Sequence, residues 1–197
     1  MEEPLSDYHA ITRLKRGDLT GLDALIERYQ LRAVRATYLI VRDRPLAEDI
    51  VQESFVQLVR KIHKFDQARP FPPWFFRCVT NDALKAVQRQ KRQVSLDGAE
   101  STHDTGLLAV LQDPQPSPEA QAIQAETCQE VWQALEKLTL EQRTVIVQRY
   151  YLGLSESEMS AALQRPAGTV KWLLHIARKR LHGLLAVFAP LAVPEEE

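Results

Sequence analysis

Two runs of cationic side chains carry the clearest chemical signal in this sequence. From Lys85 to Arg92 there are four basic residues and no acid, and from Arg165 to His182 there are five Lys or Arg residues and no acid. Lysine and arginine neutralise phosphates and meet guanine edges, so the chemistry suggested is recognition of nucleic acid rather than bond making. Between the runs, Gln93 to Glu130 holds seven acids and no Lys or Arg. The formal net charge of −1 conceals this segregation. Two DNA-facing surfaces separated by an acidic connector would produce it, whereas either run alone also fits an ordinary solvated helix face. Other chemistry is not indicated. Cys78 and Cys128 have no partner at metal-ligand spacing, and His175 and His182 stand one heptad apart without clustering. With no Gly-rich phosphate loop either, no catalytic residue, metal or cofactor is expected.

The elements that position these runs read as helical. The 197 residues are 45% hydrophobic and 26% charged, enough apolar material for a core, and no stretch alternates long enough to form a sheet. From Leu5 to about Arg92 few breakers occur beyond Gly17, Gly21, Pro45 and the Pro70 to Pro73 cluster. Val94 to Ala120 then loses periodicity and brings Pro114, Pro116 and Pro118, which predicts a linker. Helical periodicity returns from Ala122 to about Phe188. The expected fold class is all-α: a first helical domain at 5–92, a flexible acidic linker at 93–127, a second domain at 128–188 and a tail at 189–197. The acidic start Met1-Glu2-Glu3-Pro4 lacks the pattern of a signal peptide, and no apolar run is long enough to span a membrane, which predicts a cytoplasmic chain with no membrane insertion.

In the first domain, Ala47, Ile50, Val51, Ser54, Phe55, Leu58, Val59 and Ile62 recur at three and four and predict one buried helical stripe. Glu48, Asp49, Gln52 and Glu53 gather on the other face. The stretch Ala47-Glu48-Asp49-Ile50-Val51-Gln52-Glu53-Ser54-Phe55, with Arg16-Gly17-Asp18 and Leu25-Ile26-Glu27-Arg28-Tyr29 before it, resembles the polymerase-binding region of extracytoplasmic-function (ECF) sigma factors. That resemblance implies that Asp49, Gln52 and Glu53 contact core RNA polymerase. Further on, Trp74-Phe75-Phe76-Arg77, Asn81, Lys85, Arg89, Lys91 and Arg92 fall on one predicted helix. Aromatics beside cations suit an opened strand, because bases stack on rings while cations hold phosphates. Core packing is the simpler reading of Trp74, Phe75 and Phe76. In similar proteins the loop before this helix captures a flipped base of the minus-ten element, and Arg77, Asn81, Lys85, Arg89, Lys91 and Arg92 are the implied DNA contacts. Lys85 stands where the family usually has an aspartate.

The second domain shows Thr139 three residues before Gln142, Gly153 as a helix stop, Ser155 to Glu158 as a second capping box and Pro166 suited to a first turn. Val170, Leu174, Ala177 and Leu181 then form a buried stripe. Helix, short helix, turn and basic helix make a helix-turn-helix, whose last helix enters the major groove. Gly168-Thr169-Val170-Lys171 and Ala177-Arg178-Lys179-Arg180-Leu181 resemble the sigma factor domain that reads the minus-thirty-five element. Thr169, Lys171, Trp172, His175, Arg178 and Lys179 are the implied contacts. Trp172-Leu173-Leu174-His175-Ile176-Ala177 departs from the family's usual Ser-Arg-Leu-x-Arg-Ala, and Gln164-Arg165 replaces its common Gly-Ile. Altered promoter readout, extra packing and a surface for an inhibitory partner all account for the apolar residues Trp172, Leu173 and Ile176.

The resemblance spans about residues 9–92 and 130–186 and implies an RNA polymerase sigma factor with core polymerase and promoter DNA as partners and an anti-sigma factor as a further one. A stand-alone helix-turn-helix regulator and a helical adaptor that no longer reads DNA are the rivals. The sequence leaves open whether the two domains pack together.

Overall fold

A computed structural model describes the backbone of residues 5–97 and 118–186, and among these residues every regular element is helical. The first half comprises α1 (Asp7–Lys15), α2 (Thr20–Val41), α3 (Arg44–Lys61), a 3-10 turn (Ile62–Lys64) and α4 (Phe71–Asp97). The second comprises α5 (Pro118–Glu136), α6 (Leu140–Ile146) with a π-helical continuation (Val147–Tyr151), α7 (Glu156–Leu163) and α8 (Ala167–Leu185). The all-α expectation is met. Helix α4 runs past position 92 because nothing between Gln93 and Asp97 breaks it before Gly98, and α5 opens with Pro118 in its first turn. The remainder of the expected linker, 98–117, and the end of the chain from 187 lie outside the described residues.

Local chemistry explains most of the boundaries. The Asp43 carboxylate accepts from the Leu46 amide at 2.9 Å and starts α3 ahead of its buried stripe. Both anticipated capping boxes are present, Thr139 with Gln142 and Ser155 with Glu158. Gly153 adopts φ +68° after the π-helical turn, the left-handed conformation that suits glycine. Gln164 takes the same kind of conformation, φ +53°, in the turn between α7 and α8.

Aromatic packing centres the first half. Phe75 and Phe76 are buried, Phe75 lies 4.7 Å from Phe55 and 5.7 Å from Phe71, and Trp74 closes the rim at 5.0 Å from Phe65. The core continues into the second half without a gap. From Ala36 to Val41, α2 is buried on every side, because it packs on α3 and α4 in its own half and on α6 and the π-helical turn in the other. Tyr38 stacks on Trp132 of α5 at 5.0 Å, and Arg42 pairs with Glu136. Helix α4 also packs against α7. The two halves therefore form a closed pair.

Candidate nucleic-acid and polymerase interfaces

Helix α3 buries Ala47, Ile50, Val51, Ser54, Phe55 and Leu58, with Ile62 buried just beyond its end. The same periodicity turns Asp49, Gln52 and Glu53 outward, and all three are exposed. Glu53 accepts a hydrogen bond from the Gln57 amide at 2.9 Å, and Glu48 pairs with Arg44 at 2.9 Å. Gln52 borders two grooves between α2 and α3. One is apolar, lined by Leu22, Ile26, Val56 and Val59, and the other is polar, lined by Glu27, Gln30, Arg44 and Glu48. A partner helix laid here would meet an apolar strip flanked by carboxylates and amides. Sequence reasoning missed the apolar groove. Its signal was Val56, an apolar residue off the buried stripe that remains 46% exposed.

On α4, Arg77, Asn81, Lys85 and Arg89 follow one another at intervals of four and share one side of the helix. Arg77 and Asn81 are half-buried, and Lys85 and Arg89 are exposed. Lys85 also pairs with Asp82 at 3.1 Å, so its charge is partly answered within the helix. The helical path carries Lys91 and Arg92 onward, but their side chains lie outside the described residues. The loop before α4 is held from behind. Lys15 donates to the Phe65 carbonyl at 2.7 Å, and the Gln67 amide donates to the Thr12 hydroxyl at 3.0 Å. Asp66 accepts from the Ala68 amide at 3.0 Å, leaving Ala68, Arg69 and Pro70 exposed at the tip.

Helix α8 buries Val170, Leu173, Leu174 and Ala177. Lys171, Trp172, His175, Arg178, Lys179 and Arg180 are exposed, and Thr169 is half-buried. All six residues implied as DNA contacts on this helix thus stand on one element. The apolar strip separates into parts: Leu173 belongs to the core at 7% exposure, Ile176 is half-buried and Trp172 faces solvent. Extra packing therefore accounts for Leu173 and leaves Trp172 unexplained. Arg178 lies two turns beyond Lys171 on nearly the same side of α8, at the rim of an apolar groove formed with Leu39, Val131, Leu135, Tyr150 and Leu181 where the two halves meet. Arg165, in the turn, pairs with Glu141. No group of three or more His, Cys, Asp or Glu residues able to hold a metal occurs among the described residues.

Residues 25–93 match the family described as Sigma-70 region 2, and residues 128–181 match Sigma-70, region 4. The chain is 31% identical over 177 residues to the ECF RNA polymerase sigma factor SigW of Bacillus subtilis, covering 89% of this chain and 94% of that protein. It is 29% identical over 188 residues to the ECF RNA polymerase sigma-E factor of Escherichia coli, covering 92% and 95% respectively. The fold is similar to a solved structure of the sigma factor RpoE in complex with the anti-sigma factor NepR from Bartonella quintana, with TM-score 0.64 and 21% identity over 90% of this chain and 99% of that one. It is also similar to CnrH in complex with the cytosolic domain of CnrY, with TM-score 0.63 and 21% identity over 93% and 99%.

Proposed function

The chain belongs to the sigma-70 family as an ECF sigma factor, and from that premise we propose which of its residues make each contact. It binds core RNA polymerase and directs promoter recognition and transcription initiation. Asp49, Gln52 and Glu53 on α3 form the core-polymerase contact. Arg77, Asn81, Lys85, Arg89, Lys91 and Arg92 follow the opened minus-ten strand along α4. Thr169, Lys171, Trp172, His175, Arg178 and Lys179 place α8 in the major groove of the minus-thirty-five element. Among the described residues no helix is long and apolar enough to cross a membrane, and the cytoplasm, where polymerase works, is the proposed compartment. An anti-sigma protein is proposed as a further partner, since a solved structure of similar fold holds the sigma factor RpoE in complex with the anti-sigma factor NepR.

One observation carries the assignment: an exposed acid-and-amide face on α3 and an acid-free outward face on α8 occur in one chain, each inside its matching family region. Phosphodiester chemistry is left to the polymerase. The stand-alone regulator is not favoured, because a protein acting without polymerase has no need of the first half's α3 face.

The test is retention of bacterial core polymerase by the wild-type chain and by a variant with Asp49→Lys and Gln52→Ala, followed by transcription from a genomic promoter library. Retention lost in the variant, with a discrete set of wild-type transcripts, is the expected result. A variant that holds polymerase as well as the wild type would remove α3 from the contact.

A further inference from the structure

Gly168, Trp172, His175 and Lys179 follow one another along α8 at helical spacing, on the side opposite Val170, Leu173, Leu174 and Ala177. Trp172 occupies the middle of that outward face and is 62% exposed, the most exposed large hydrophobic side chain among the described residues. One turn earlier, nothing lies within 4 Å of where a Gly168 side chain would begin, so the approach to the indole is open. Lys171 and Thr169 stand beside it near the N-terminal end of the helix, the end that reaches base edges in a helix-turn-helix. A tryptophan here neutralises no phosphate charge, and beyond its single indole N–H donor the face it offers the groove is apolar. Nor does it serve the core, which Leu173 and Leu174 already fill from the opposite side.

The apolar feature that a base edge presents in the major groove is the C5-methyl group of thymine. An indole plane held in the groove by flanking cations loses water when it meets that methyl and gains nothing comparable from guanine or cytosine. We propose that Trp172 is a specificity-determining residue that reads a thymine of the minus-thirty-five duplex through its methyl group. This rests on the assignment of α8 as the recognition helix. It replaces a polar readout at this position with an apolar one, so the promoters used by this factor carry an A·T pair where Trp172 lies.

Uracil in place of thymine keeps every hydrogen-bonding group and removes only the methyl, which makes it the probe. Holoenzyme reconstituted with wild type, Trp172→Ala, or the pair Lys171→Glu and Arg178→Glu is titrated with a promoter recovered from the library selection. Each minus-thirty-five thymine is replaced singly by uracil. At one position uracil is expected to weaken wild-type binding about three- to fourfold, the effect of one buried methyl, and to have no further effect on Trp172→Ala. Uracil tolerated at every position by wild type overturns the proposal, as does a uracil penalty of equal size in Trp172→Ala. Recovered elements without an A·T pair, or DNA binding unchanged in Trp172→Ala, overturn it too, the latter pointing to a protein partner for the indole. If the Lys171→Glu and Arg178→Glu pair also leaves minus-thirty-five dependence intact, the recognition-helix assignment itself has failed. If that pair abolishes it, the failure is confined to Trp172.

Discussion

Arg143 on α6 donates two hydrogen bonds to the carbonyl oxygen of Ile40 near the end of α2, from Nη2 at 2.8 Å and Nε at 3.2 Å. The acceptor lies in a last helical turn, where carbonyls lack intrahelical partners and the helix dipole is negative. A cation that would ordinarily sit in water is thereby buried at 7% exposure. Burial first, and then the neighbouring Arg42, draw its pKa down to about 10, while Glu136 pushes it the other way. Arg143 remains charged at neutral pH and ties the second half of the chain to the first.

Replacing Arg143 with Met should therefore do two things. It removes a charged donor pair from a buried carbonyl, with an expected loss of about 2–3 kcal/mol in chemical denaturation. It also loosens the closed pair, so the radius of gyration from small-angle scattering should rise. Arg143→Lys restores a single donor and should recover part of both effects. Because the group keeps its proton in the folded and the unfolded chain well past neutrality, the loss should be the same at about pH 6 and about pH 8. A full-strength fold with unchanged dimensions in Arg143→Met would show that the halves are held by the apolar contacts alone.

What the sequence displayed and what it hid divide along physical lines. The α3 stripe, the outward Asp49, Gln52 and Glu53, both capping boxes and the left-handed Gly153 depend on spacing and local hydrogen bonding, and each is found where periodicity puts it. Arg143 could not be read that way. Its helix neighbours give no reason for burial, and its acceptor lies 103 positions away. A clue existed in Ala36-Thr37-Tyr38-Leu39-Ile40-Val41, a helix end with no polar side, which requires cover on every face. Leu173 was legible only as one of three readings, extra packing among them, for the same reason. It lies beside the 170, 174, 177 and 181 stripe on α8, a helix that packs against α5, α6 and α7. Lys85 shows a smaller omission, since Asp82 three residues earlier already predicted a partner.

Gly21 lies at a close backbone approach of α1 to α2. A Cβ there would lie 2.2 Å from the Ala10 carbonyl oxygen and 2.9 Å from the Leu14 amide nitrogen, both backbone atoms that cannot swing aside. Gly21→Ala should force α1 off α2 and lower stability by about 3 kcal/mol, at the upper end of overpacking effects. Thermal unfolding of the variant beside the wild type provides the measurement, and an unchanged midpoint would mean that α1 shifts freely.

Gln164 offers the opposite sign. Its φ of +53° is a conformation that glycine adopts without a steric penalty and that a residue with a Cβ adopts at a cost of roughly 1–2 kcal/mol. Glycine also gains entropy in the unfolded chain, which offsets part of that relief. Gln164→Gly should therefore stabilise the chain by about 0.5–1 kcal/mol. Holoenzyme promoter affinity should stay at the wild-type level, because the turn's backbone path is unchanged. A lower midpoint in denaturant would mean that the Gln164 side chain contributes a contact worth more than the strain.

The stripe on α4 can be separated from structural support by its response to salt. Arg89 is exposed, whereas Lys85 is paired with Asp82. If both meet backbone phosphates of the opened strand, each should release about 0.7 counterion there, and removing either should flatten the plot of log affinity against log salt by about that amount. The two should differ in absolute effect. Arg89→Ala loses an unencumbered charge, while Lys85→Ala also frees the Asp82 carboxylate to repel the strand, so the Lys85 variant should bind more weakly at low salt. Asp82→Asn in the Lys85→Ala background should then recover affinity. Titrating reconstituted holoenzyme with a pre-opened minus-ten fragment at several salt concentrations reads all three. Parallel salt plots for wild type and both single variants would place the phosphates elsewhere and leave the α4 stripe as a solvated face.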